Sequence, residues 1–319
     1  MSFKILGTGH YVPSRVVTND ELSTLVETSD EWIAQRVGVR ERRICTTETA
    51  SELAYKAAEQ ALQMSHTKPE ELDMIICATI SAEDTSPSMA CMLQSLLGAT
   101  CPALDISAAC SGFIYALDTA AGFFARKKVK KMLVIGGEKL SRLIDWTDRN
   151  TCVIFGDGAG AVVLGEGDAY MSSKLHAKGG DAVIKIPNYG GDSPFNKNER
   201  PKPYIYMNGQ ETFKFAVNAM VNDLTDVIRD AGLSLSDITC VIPHQANARI
   251  LDAAGRKLEI PPEKFAKNIE KYGNTSSASI PILLDELNRE GKFKDGDYIA
   301  LSSFGGGLTS AACVIRWGA

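Results

Sequence analysis

Histidine is scarce in this chain. Its 319 residues hold only four, His10, His66, His176 and His244, and no two lie at metal-ligand spacing from one another or from a cysteine, which argues against a zinc site. No Cys-x-x-Cys pair occurs among the eight cysteines, most of which lie inside apolar runs. A chain this long buries a core without disulfide staples, so these read as reduced thiols of a cytoplasmic protein. No Walker motif is present, and the N-terminus shows no basic start followed by an apolar stretch, so no secretory signal is visible. Neither sign of charge dominates: 34 Lys+Arg stand against 39 Asp+Glu, a formal net charge of −5. That balance speaks against a nucleic-acid binder. A composition 45% hydrophobic and 23% charged excludes disordered and fibrous classes.

The one segment poor in charge runs from Ser95 to Ala125, where only Asp105 and Asp118 are ionised. Those acids, Pro102 and the small cluster Ser107-Ala108-Ala109 argue against a membrane span. The segment reads as a strand, Ala103–Ile106, followed by a helix buried on all sides, which must lie between layers of a large core. Elsewhere short β-branched runs alternate with longer helical patterns. Strands are expected at Phe3–Gly7, Met74–Ile80, Met132–Gly137, Cys152–Phe155, Gly160–Leu164, Thr239–Pro243, Tyr298–Ser302 and Ala311–Arg316. Helices are expected at Glu52–Met64, with Thr49 and Ser51 as candidate caps, Glu211–Ala231, Ala246–Leu258 and Ala278–Glu290. Continuous apolar strands flanked by helices define an α/β protein with sheets covered on both faces.

The two halves of the chain resemble each other. LDMIICATIS (72–81) reads like SDITCVIPHQ (236–245), VIGGEKLS (134–141) like ALSSFGGG (300–307), and GAGAVVLG (158–165) like LTSAACVI (308–315). Cys110 opens a helix in the first half, and Asn274 precedes one at the matching place in the second. This pairing implies two copies of one α/β unit, residues 1–166 and 167–319, with a site at their junction. The Gly/Asn/Pro-rich stretch Gly179–Pro203 between them reads as a surface excursion.

Three positions carry chemistry. Cys110 follows a strand and starts a helix, where aligned backbone dipoles favour a thiolate. The other cysteines, Cys45, Cys77, Cys91, Cys101, Cys152, Cys240 and Cys313, read as small buried hydrophobes. His244 in VIPHQAN ends an apolar strand, the place where open α/β sheets bind ligands. With Asn274 in YGNTSSAS it supplies hydrogen-bond donors for a developing oxyanion. Gly305-Gly306-Gly307 is either a second source of such donors or a plain hairpin. The run Gly156–Gly160 leads straight into a strand, so it reads as a tight turn between strands rather than a phosphate cradle.

Taken together, SAACSGF at Cys110, PHQAN at His244, YGNTSSAS at Asn274 and FGGGLTS at Gly306 resemble the β-ketoacyl-acyl carrier protein synthase III family. SDEWIAQRVGVRERRI and TDRN…FGDGAGAVVL extend the resemblance from end to end. It implies a thiolase-like fold of two pseudo-duplicated halves in a layered αβαβα core, and a homodimer that initiates fatty-acid synthesis without a cofactor. Cys110 would take the acyl group of an acyl-CoA, with the backbone N–H groups of Cys110 and Gly306 as oxyanion hole. His244 and Asn274 would stabilise the enolate formed when malonyl-acyl carrier protein loses carbon dioxide. Trp32, Arg36 and Arg149 would contact the CoA adenine and phosphates and Asn247 the pantetheine arm. Val37 stands where many relatives carry threonine, and Ser86-Pro87-Ser88 where some carry a bulky aromatic of the acyl pocket. Arg249, Arg256 and Lys257, joined by Lys214, would dock the acidic carrier protein. Three alternatives stay open on sequence: a secondary-metabolite (polyketide) primer synthase, a Cys-His-Asn hydrolase, whose chain order is the same, and a non-catalytic binding subunit.

Overall fold

The computed structural model describes residues 2–187, 195 and 202–318. The first sheet is built from β1 (Ser2–Tyr11), β2 (Met74–Ala78), β3 (Ala103–Ile106), β4 (Lys131–Glu138) and β5 (Gly158–Gly167), in the order β1-β5-β4-β2-β3. The second is built from β6 (Tyr170–Ala177), β7 (Ile238–Pro243), β8 (Tyr298–Gly305) and β9 (Thr309–Arg316), in the order β7-β8-β9-β6. Direction repeats along with order. β1/β5 and β5/β4 are antiparallel and β4/β2 parallel, as are β6/β9, β9/β8 and β8/β7 in turn. The counterpart of β3 shrinks to a single parallel bridge from Val241 to Phe265.

Alternation along each strand builds five layers, because successive side chains point to opposite faces. Ile75, Leu133 and Val163 pack outward with α1 (Ala50–Met64) and α2 (Met89–Leu97). Ile76, Val134 and Val162 point inward with α3 (Gly112–Ala125). The second sheet sends Val241, Ala300 and Val314 outward to α4 (Gly209–Asp230) and α5 (Ala248–Lys257). It sends Ile242, Leu301 and Cys313 inward to α3 and to α6 (Ser279–Arg289). The charge-poor segment is therefore the central helix that both sheets bury. Thr49 and Glu52 close a capping box on α1. Ser51 lies inside that helix, where its hydroxyl donates to Glu83.

Three expectations need correction. The segment 152–155 is not a strand: Arg149–Cys152 is a short helix and Phe155 makes one parallel bridge to Asn274. Short apolar runs do not by themselves separate buried helix from strand. Gly156–Gly160 therefore joins a helix to β5 rather than two strands. Gly158 and Gly160 serve contact with α6, since a Cβ on Gly160 would lie 2.6 Å from both Ile282 N and the Pro281 carbonyl carbon, while Gly156 approaches the Tyr272 carbonyl. The excursion 179–203 is not wholly at the surface. Ile184–Lys185 pairs with Tyr206–Met207 in a small antiparallel ribbon, and Ile184 and Ile205 line the main pocket. Residues 188–194 and 196–201 of that stretch fall outside the described residues.

Because the Gly160 clash is with backbone, Gly160→Ala is expected to destabilise the protein by about 2–3 kcal/mol, the usual cost of overpacking a core. The shift of the urea midpoint at unchanged slope measures it.

Candidate active site

A pocket of about 1450 Å³ opens where the two sheets meet, and Cys110, His244, Asn274 and Gly306 all line it. Two tight turns border it, one carrying Cys110 and one following Asn274. Ala109–Ser111 leads into α3 and Ser276–Ala278 into α6, each a single turn of 3-10 helix. Each begins with a left-handed residue that is not glycine, Ala109 at φ 49° and Ser276 at φ 50°. Such backbone strain clusters at functional sites.

Cys110 sits in the first turn against the β8/β9 hairpin. A Cβ on Gly305 would come within 2.7 Å of the Cys110 backbone nitrogen, so the approach requires glycine there. The Thr309 hydroxyl ties the hairpin back to the Ala108 carbonyl at 3.1 Å. The run 305–307 is thus both a hairpin and the wall behind the nucleophile. The thiol does not behave as helix position alone suggests: burial, with the nearby Glu138 carboxylate adding to it, pushes Cys110 up to about 12. Desolvation outweighs the helix terminus, and the resting group is a neutral thiol.

His244 ends β7 and is 1% exposed. Burial lowers its pKa to about 3, which keeps the ring neutral at physiological pH. Nδ1 lies 2.7 Å from Ser279 Oγ, and the ring stacks edge-on against Phe304 at 5.5 Å. Nε2 has no hydrogen-bond partner among the described residues. Asn274 clamps the 154–156 segment: its N–H donates to Ile154 O at 2.9 Å and its carbonyl accepts from Gly156 N at 3.0 Å. Its side-chain oxygen accepts from Ser276 N at 2.8 Å, which leaves the amide NH₂ as the group offered to the pocket.

The remaining candidates fall into separate groups. Trp32, Arg36 and Arg149 do not line the pocket but gather beside it, with Arg149 and Arg36 at 5.1 and 5.8 Å from the Trp32 ring. Arg149 also donates to Glu27 O. Asn247 bridges this group to the pocket, donating to Arg36 O at 3.1 Å while its oxygen caps α5 at Arg249 N. Val37 is buried, and its carbonyl accepts from Ala248 N. Arg249, Arg256 and Lys257 are exposed on α5, and Lys257 reaches Asn218 on α4, one turn beyond Lys214. Lys214 pairs with Glu211. Ser86-Pro87-Ser88 forms a surface turn outside the pocket lining, with Ser88 capping α2. Cys91 is exposed rather than buried, because it sits beside the open edge strand β3, its sulfur 3.7 Å from the Ala103 carbonyl. Sequence reasoning missed Ser276, Ser279 and Phe304; the run SSAS after Asn274 held the only signal for the two serines.

Five layers of two pseudo-repeated halves, with a thiol from one and an imidazole and a carboxamide from the other lining one pocket, define a thiolase-like condensing enzyme. Residues 104–179 match the family described as 3-oxoacyl-[acyl-carrier-protein (ACP)] synthase III, and 228–317 match its C-terminal model. Beta-ketoacyl-[acyl-carrier-protein] synthase III of Clostridium acetobutylicum is 46% identical, with 99% of each chain covered. The Aquifex aeolicus enzyme of that name is 48% identical over 99% of this chain and 100% of its own. A crystal structure of the Aquifex enzyme superimposes with a TM-score of 0.93 at 47% identity, covering 99% of this chain and 100% of that one. The priming β-ketosynthase of the R1128 polyketide pathway superimposes at 0.92 with 32% identity, covering 99% and 96%. The chain belongs to the 3-oxoacyl-[acyl-carrier-protein] synthase III family.

The thiol's raised pKa makes a kinetic prediction. Alkylation of Cys110 by iodoacetamide, followed on its own peptide by mass spectrometry, should be slow at pH 7 and climb steadily to pH 10 without a plateau. A plateau below pH 8 would mean that the thiolate is already present at rest.

Proposed function

We propose that the protein is a β-ketoacyl-acyl carrier protein synthase III, an acyltransferase that joins an acyl-CoA primer to malonyl-acyl carrier protein and so initiates fatty-acid synthesis. The observation that carries this reading is that Cys110, His244 and Asn274 line one pocket; on this reading the halves that bring them there are residues 1–166 and 167–319. Curated relatives at 46–48% identity, against 32% for the polyketide priming enzyme, favour the fatty-acid reading.

In the first half-reaction the Cys110 sulfur attacks the thioester carbonyl of the primer. The tetrahedral oxyanion is held by the backbone N–H groups of Cys110 and Gly306; the bond to the CoA sulfur breaks and the thiol proton leaves with CoA. Trp32, Arg36 and Arg149 grip the nucleotide, since an indole face and guanidinium forks suit a purine and its phosphates. In the second, the malonyl carbon–carbon bond breaks, carbon dioxide departs, and the electron pair becomes an enolate. Its oxygen takes hydrogen bonds from the neutral His244 and the Asn274 amide. The enolate carbon attacks the acyl-Cys110 thioester, and the sulfur regains a proton as the 3-ketoacyl product leaves. Arg249, Arg256, Lys257 and Lys214 form a basic rim for the acidic carrier protein. The open edge of the first sheet at β3, next to Met92 and Leu96 exposed by 40% and 47% on α2, supports pairing with a second copy.

Incubation with acyl-CoA should add one acyl group to Cys110, and Cys110→Ser should abolish it. His244→Ala and Asn274→Ala should slow malonyl decarboxylation by about 100-fold or more while the acylation rate stays close to that of the parent. Equal loss of both steps would contradict this division, and thioester hydrolysis without a ketoacyl product would contradict the function. Paired Arg249→Glu and Arg256→Glu should raise KM for malonyl-carrier protein and leave acylation from acyl-CoA unchanged, the difference shrinking as salt rises.

A further inference from the structure

The imidazole of His244 is buried and neutral, so it carries one proton, and which nitrogen holds it decides whether the ring donates to the pocket or accepts from it. We propose that Ser279, at the first position of α6, fixes this choice: its hydroxyl donates to His244 Nδ1, so that the ring proton sits on Nε2 and faces the pocket as a donor.

Three contacts carry the assignment. Ser279 Oγ lies 2.7 Å from Nδ1 and 3.0 Å from the Ser276 carbonyl, and one hydroxyl proton serves only one of them. The Ser276 carbonyl already accepts the backbone N–H of Ser279, so it is satisfied without the hydroxyl. The Gln245 backbone N–H points at Ser279 Oγ from 3.4 Å, occupies a lone pair there and leaves the hydroxyl proton for the ring. The 2.7 Å separation from Nδ1 is ordinary for a hydroxyl donor and at the short end for an N–H donor, while 3.0 Å is at the long end for a hydroxyl on a carbonyl, so the hydroxyl proton lies on the ring side. With the hydroxyl turned to Nδ1, the Gln245 N–H, the Ser276 carbonyl and Nδ1 each keep a partner, and the atom left without one is Nε2 of a residue that lines the pocket. Ser279 is thus a positioning residue: it never touches substrate and acts through the ring. The tautomer also means that His244 does not take the Cys110 proton, which leaves acylation independent of it.

The inference rests on the reading of His244 as the donor to the enolate. The test is ¹⁵N NMR of histidine-labelled enzyme, with four histidines to resolve and His244→Ala to assign the signal. Nε2 should appear pyrrole-like and Nδ1 pyridine-like between pH 6 and 8 in the unmodified enzyme. Ser279→Ala should mix the two forms and slow malonyl decarboxylation by about tenfold, the scale of one buried hydrogen bond, with the rate of Cys110 acylation unchanged. Ser279→Thr should restore both the spectrum and the rate. A protonated Nδ1 in the unmodified enzyme overturns the proposal, even if Ser279→Ala does not fold. So does a Ser279→Ala enzyme whose tautomer and decarboxylation match the parent, or one that slows both half-reactions equally. Should the unmodified enzyme show the Nε2–H form yet make no ketoacyl product from any primer, the tautomer assignment stands and the proposed function falls.

Discussion

Each of the two reactive turns is docked on the sheet of the opposite half, and the site exists only because of that exchange. The turn that carries Cys110 rests against the β8/β9 hairpin, where Gly305 admits its backbone and Thr309 bonds the Ala108 carbonyl. The turn that follows Asn274 rests against the first sheet in the same way. A Cβ on Gly136 would meet Ser277 O at 2.3 Å, and the Ser277 hydroxyl lies between Ala78 O at 2.8 Å and a Glu138 carboxyl oxygen at 2.9 Å. Glu138 is fully buried and also accepts from Ser81 and the Ile80 backbone. Sliding one sheet past the other would therefore separate the thiol from the imidazole and the carboxamide, whatever the fate of each half. Rigid elements hold such a constellation better than loops do.

The internal repeat shows how one scaffold came to hold a single reactive centre. Aligning the strands and turns of the two halves pairs Cys110 with Ser277, His244 with Ile80, Phe304 with Glu138, and Ser279 with Gly112. In the first half Gly112 leaves room for Ala78, whose methyl would lie 3.0 Å from an added Cβ. In the second the same position carries the hydroxyl that meets His244. The mate of the nucleophile is a serine spent on a structural hydrogen bond, and the mate of the histidine is an apolar residue.

Much of this was legible in sequence, for reasons that can be named. Apolar runs covered on both faces, such as Met132–Gly137, show no alternation and declare a sheet between helix layers. The matching of 72–81 with 236–245 disclosed the repeat, and the residues that break its symmetry, Cys110 and His244, marked the site. What failed depended on distance rather than pattern. The run 152–155 has strand-like composition, but contact with Asn274 a long way down the chain makes it a helix end and a bridge. Ser279 looks like one more polar residue in a turn until β7 brings His244 to it. The expected thiolate failed because a helix terminus is visible in sequence and desolvation is not.

That last point separates two chemistries that share the order Cys, His, Asn. A hydrolase of that order needs the imidazole to accept the thiol proton and hold it as an ion pair. Here burial sets the thiol at about 12 and the imidazolium at about 3. Both shifts run against a thiolate–imidazolium pair and toward the neutral one. On the proposed mechanism a neutral site needs no stored thiolate: it offers two uncharged donors, the His244 ring and the Asn274 amide, to an enolate that forms only after carbon dioxide has left.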